Sequence, residues 1–146
     1  MKITLAKAFK VRSRLNKKIS DALKLVRDEN SIAEGGVRSI DVRRKFAEFK
    51  DLSAKMILLK QAINRANAGI SDKLVEIVEL KELRSRLLEI PTNDGKQRIF
   101  PEEHILTAEI KKGQLLAEAE ELQNRIDELQ DEIDDFNART RIEFEL

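Results

Sequence analysis

Seven apolar side chains recur at alternating steps of four and three late in the chain: Leu115, Ala119, Leu122, Ile126, Leu129, Ile133 and Phe136. On an α-helix that spacing draws one narrow stripe, the heptad seam of helices that pack lengthwise. A seam of this length is not left in water. The chain must cover it with another helix, its own or that of a second copy. This requirement constrains the fold more than any other feature.

The composition extends the same reading. Apolar residues make up 41% and charged residues 38%, and the aromatics, 4%, are all Phe, while only five Gly and two Pro interrupt 146 residues. A chain rich in Leu, Ile, Ala, Glu, Lys and Arg with few breakers suits helical bundles and coiled coils, and this length suits one domain. The formal charge of +1 gives no global field to draw nucleic acid or anionic lipid. With no cysteine, disulfides, thiolate catalysis and Cys-based zinc sites are excluded, and a reducing cytoplasm is the expected location. No apolar run approaches the ~18 residues of a membrane span. The basic, amphipathic start lacks the uninterrupted apolar stretch of a secretory signal.

Four helices are expected, spanning about 4–28, 41–67, 72–89 and 102–137, with loops at about 29–40 and 91–101. Thr4 and Asp41 are the expected N-caps of the first two. The first stripe reads Leu5, Ala8, Leu15, Ile19, Ala22 and Val26, with Arg12 in one seam position. Gly69 is expected to end the second helix in a left-handed conformation and Ser71 to cap the third; so short a link allows a tight αα-corner or one kinked rod, and the tight corner is the expected one. Pro91 ends the third helix, and Thr92–Gly95 reads as a turn, followed by a short stretch at Gln97–Phe100 able to pair as a strand. Pro101 would open the fourth helix, where its missing N–H costs nothing. The tail Ala138–Leu146 alternates charged and apolar residues, an extended pattern.

Charge is segregated. Residues 1–20 hold seven bases and no acid, whereas residues 114–136 hold nine acids against Arg125 alone. The first and last helices can therefore lie side by side, in one chain or between two, with surface pairs setting orientation at up to ~1 kcal/mol each.

Few constellations carry chemistry. His104 is the only histidine and follows Glu102 and Glu103, so neither a zinc site nor a di-iron bundle with repeated Glu-x-x-His pairs can be assembled. The acids Asp127–Asp135 lack the Gly-bent loop of a calcium site and read as a solvated face. Gly35-Gly36 lacks the frame of a phosphate loop. Phosphate contacts can be drawn for Lys7, Lys10, Arg14, Lys17, Arg43 and Arg44, yet no Trp, Tyr or reading motif accompanies them. Asn64 and Asn67, three apart, form with Ser71 a polar corner whose amides suit the free carbonyls of a helix end.

Three of these features together resemble the septicolysin-like family of small bacterial proteins, whose cellular role is unassigned. They are the Leu5–Ala8 opening of a basic amphipathic helix, the Ile63-Asn64-x-x-Asn67 corner, and a closing helix with Ile133 and Asn137. Asp134 and Ala138 stand where that family tends to show Gln and Trp. The resemblance implies a helical cytosolic protein, and the family name hints at membrane lysis.

The sequence therefore predicts an all-α chain of two helical hairpins in an elongated bundle. It predicts a non-enzymatic scaffold that forms homo-oligomers through the seam, with no cofactor, metal or small-molecule substrate. Nucleic-acid binding through the basic first helix is the alternative, and a membrane-active, cytolysin-like role stands behind it.

Overall fold

Two side-chain caps start the first pair of helices. Thr4 Oγ1 accepts the Lys7 N–H at 3.2 Å, and Asp41 Oδ1 accepts the Arg44 N–H at 3.0 Å, each satisfying one donor that has no partner within its helix. These helices are α1 (Leu5–Glu29) and α2 (Val42–Asn67). The computed structural model describes residues 1–99 and 101–145. The chain is predominantly helical and packs as two compact units, Met1–Gly69 with Asp134–Leu146, and Ile70–Ile133.

In the first unit α1 and α2 run antiparallel around a shared apolar interior. Leu5, Ala8, Val11 and Leu15 of α1 face Met56, Leu59, Ala62 and Ile63 of α2, and Leu5 and Leu59 are fully buried. Arg12 does not occupy the seam. Val11 takes that position, and the exposed Arg12 guanidinium lies 5.2 Å from the Phe9 ring centroid.

The chain ends close this unit with a small sheet. Strand β1 (Lys2–Thr4) pairs antiparallel with a C-terminal strand, Arg141–Glu143, in the register Ile3↔Ile142. Ile3, Ile142 and Phe144 join the core. The alternation in the tail thus marks a real strand, while its partner was invisible in a stretch with one apolar residue to show.

The second unit contains α3 (Ser71–Glu89), strands β2 (Gly95–Ile99) and β3 (Glu102–Leu106), and most of α4 (Lys112–Arg139); the C-terminal strand above is β4. The helices α3 and α4 run antiparallel. Arg125 grips Glu76 through Nε at 2.9 Å and Nη2 at 3.2 Å, and Lys73 Nζ meets Glu132 at 2.9 Å. Ile70 and Ile77 are buried on one side, as are Leu115, Ala119, Ile126, Leu129 and Ile133 on the other. Extending that register brings Arg84, which interrupts the α3 stripe, level with Ala119, the smallest seam residue.

Three expectations are corrected here. The last helix begins at Lys112 rather than near Glu102, and Glu102, Glu103 and His104 lie in β3, opposite Ile99, Arg98 and Gln97. Asp94 holds this segment out of the helix by accepting the Ala108 N–H at 2.7 Å and the Lys111 ammonium at 3.1 Å. Pro101 therefore stands in the turn before β3. Phe100 and Leu146 lie outside the described residues.

The second correction concerns the corner after α2. Gly69 has no positive φ; it sits in a 3-10 turn, Ala68–Ile70. Its missing side chain instead admits the Phe136 ring, 3.4 Å from where a Cβ would stand. Ile70, not Ser71, occupies the cap position of α3, without a side-chain hydrogen bond. Neither device of the expected tight corner is in use.

The third is that the chain is not wholly α. Two antiparallel two-stranded sheets accompany the helices.

The α2 register gives a direct test. Leu59 is fully buried and its neighbour Leu58 is 59% exposed. Leu59→Ala should cost about 2–5 kcal/mol in urea denaturation and Leu58→Ala under ~0.5 kcal/mol. Equal losses would show that α2 presents a different face.

Candidate functional site

The connector between α1 and α2 is tied down by its own side chains. Ser39 donates to the Glu29 carboxylate twice, from its N–H at 2.9 Å and from Oγ at 2.6 Å. Arg38 donates Nε to the Glu29 carbonyl and Nη2 to the Asn30 carbonyl, both at 3.0 Å. Those carbonyls have no partner inside α1, so the guanidinium finishes the helix and cancels part of its terminal dipole. The Ser39 hydroxyl and N–H, helped by the nearby Arg38 charge, hold the Glu29 carboxyl below the usual carboxylate range.

This clasp shapes a cleft of about 660 Å³ between the end of α1, the connector and the start of α2. Val26, Ile40, Val42 and Phe46 supply its apolar lining, and Arg38, Asp41 and Arg43 its charges, with Asn30 at the edge. Phe46 is 46% exposed, stacks on Phe49 with centroids 6.4 Å apart, and has the Lys50 ammonium 4.8 Å above its ring. Asp41 is occupied as the α2 cap, and two nitrogens of Arg38 are occupied on carbonyls. Arg43 makes no ion pair or side-chain hydrogen bond among the described residues.

The residues singled out in the sequence are dispersed. Leu115, Ala119, Ile126, Leu129 and Ile133 are buried, and Leu122 and Phe136 half-buried, within the single chain. Lys7, Lys10, Arg14 and Lys17 form one exposed stripe on a flank of α1, about 15 Å long, with no ion-pair partner among the described residues. Arg43 and Arg44 stand apart, in the first turn of α2 beside the far end of α1. Of the polar corner, Asn64 and Ser71 are exposed, and Ser71 belongs to the other unit. Asn67 is half-buried, and its Oδ1 is shielded with no hydrogen-bond partner, as is the Oδ1 of Asn137.

Among the described residues no cluster of His, Cys, Asp and Glu is placed to hold a metal ion, and no helix is long and apolar enough to cross a membrane. Sequence reading missed the cleft because Glu29, Arg38 and Ser39 meet across a connector with no periodic pattern. The only signal was composition: a cationic and a hydroxyl residue close together after a helix end.

No family model matches the chain, and no curated protein matches it. Its fold is similar to that of a solved crystal structure, described as a functionally unknown conserved protein from Corynebacterium diphtheriae. The TM-score is 0.79 at 20% sequence identity, covering 98% of this chain and 100% of that one. At that identity the likeness shows a shared fold and nothing about activity.

The Glu29 clasp makes a pH-dependent connector. Because the folded carboxyl titrates lower than the unfolded one, its contribution is complete above the ordinary carboxylate pKa and is lost as pH falls through the lowered value. Ser39→Ala should return Glu29 toward the usual range in a carboxyl NMR titration. An unchanged titration would mean the clasp is absent in solution.

Proposed function

We propose that this is a non-enzymatic interaction protein that self-associates through its long helices. The supporting observation is the width of the apolar surface on α3. Ile77 is buried and Leu74, Leu80 and Leu87 half-buried, which accounts for one side of the helix. Val75 and Val78 are 63% and 60% exposed, and Leu83, Leu88 and Ile90 are also exposed. A helix apolar on more than one face suits more than one neighbour.

The heptad seam is already occupied within the chain, so the associating surface in this proposal is the outer side of α3. A second copy suits that surface because the same exposed valine and leucine side chains on each copy can cover one another across a two-fold axis. The resemblance to septicolysin-like proteins fits a helical protein and adds no activity. The cysteine-free sequence fits the cytoplasm.

A second reading, nucleic-acid binding, draws on the unpaired stripe of Lys7, Lys10, Arg14 and Lys17. It requires affinity that falls steeply with salt, and retention of nucleic acid unchanged between low and high salt would remove it.

Light scattering on eluting protein tests the main proposal. The wild type should run as an oligomer, and Val75→Glu with Val78→Glu should reduce it to the monomer mass with helicity retained, since both side chains are exposed. Ile126→Asp should instead lower the melting temperature sharply, because an unpaired charge inside the α3–α4 pair costs several kcal/mol. A wild type that stays monomeric at high concentration would overturn the proposal.

A further inference from the structure

The cleft beside the α1–α2 connector has a composition that self-association does not use. We propose that it binds a small free organic anion with an apolar body, an aryl or short-chain aliphatic carboxylate. Its volume of about 660 Å³ lies within the range of small-molecule sites, ~300–1,000 Å³. The apolar wall of Val26, Ile40, Val42 and Phe46 offers an aromatic face and branched aliphatic surface to the body of such a ligand.

The charges select its sign. Of the three charged residues lining the cleft, two are guanidinium groups, and the one carboxylate, Asp41, has Oδ1 turned to the Arg44 N–H. Arg38 is fixed by its two bonds to carbonyls, so it contributes a positioned positive charge without needing to reorganise. Arg43 has its donors uncommitted among the described residues and can meet a carboxylate with a two-point fork. A cation would face both guanidinium groups. A neutral molecule would use the wall and leave Arg43 without its anion.

The connector that forms one side of the cleft is held by Ser39 on Glu29 and Arg38 on the end of α1, contacts that lie outside both helical cores. Ligand contact with Arg38 and Ile40 therefore adds to the contacts that hold the connector, and binding should slow amide exchange at Ser39.

Titration of the whole chain with 1-naphthoate, followed by amide NMR, tests the proposal. Naphthoate should bind saturably with Kd on the order of 0.1–1 mM and move the resonances of Val26, Ile40, Val42 and Phe46 together. Uncharged 1-naphthamide should bind about tenfold more weakly, and 1-naphthylmethylamine should leave those resonances in place. Arg43→Ala, an exposed substitution, should weaken naphthoate about tenfold while leaving naphthamide unchanged. Lys10→Ala, equally exposed but on the α1 stripe, should change nothing. The proposal fails if naphthamide matches naphthoate, if Arg43→Ala binds as tightly as wild type, if the shifts gather at other exposed apolar residues such as Ile57 or Val75, or if no saturable shift appears at millimolar ligand.

Discussion

A helix paired with one neighbour can bury one stripe of side chains, and the rest of its surface stays in water or waits for another partner. Much of this protein follows from that limit. In the first unit the pair α1–α2 gains further cover from the β1–β4 sheet and from Phe136, so side chains from five elements close over Leu5 and Leu59. In the second unit α3 and α4 rely chiefly on each other. Leu129 is fully buried there, yet Ile77 alone is buried within the span of α3. The apolar side chains left over on α3 are a direct consequence of a two-helix pairing.

Polar contacts in this chain orient elements more than they hold them together. The ion pairs of Lys2, Lys45, Lys55, Lys73, Arg86, Lys111, Arg125 and Arg139 are all solvent-exposed to a substantial degree, and exposed pairs are worth little in stability. Their value lies in register. The forked Arg125–Glu76 contact and the Lys73–Glu132 pair fix how far α4 slides along α3. Asp94 has a similar role, since its carboxylate gathers the Ala108 N–H and the Lys111 ammonium and so decides where the last helix starts. Both hydrogen bonds hold its carboxyl below the usual range, with the Ala108 N–H the larger influence.

The connector between α1 and α2 works by the same economy. One arginine finishes a helix by satisfying two carbonyls, and one serine occupies both oxygens of a glutamate. The loop needs no core of its own, because Arg38 and Ser39 tie it to the end of α1. What this frees is the inner side of the loop, where Ile40 and Val42 turn toward Val26 and Phe46 rather than into the helix interface. Fold and candidate site are thus connected through a handful of hydrogen bonds at one helix end.

The helical segments, the caps at Thr4 and Asp41, and the buried stripe of the last helix were legible in the sequence, because each depends on spacing along the chain or on a residue within three positions. A period of three and four residues places a stripe on a helix whatever lies around it. What the sequence could not decide is what meets what. Ile3 and Ile142 pair across the chain's ends, Phe136 lies on Gly69, and Asp94 captures a donor fourteen residues away. Each depends on distances that only packing sets, so a heptad seam looked equally ready for a second copy, an expected helix start became a strand, and a glycine read as a backbone hinge proved to be room for a ring. Local periodicity determined the elements; tertiary contact chose their partners, because burial is shared between surfaces that sequence position does not bring together.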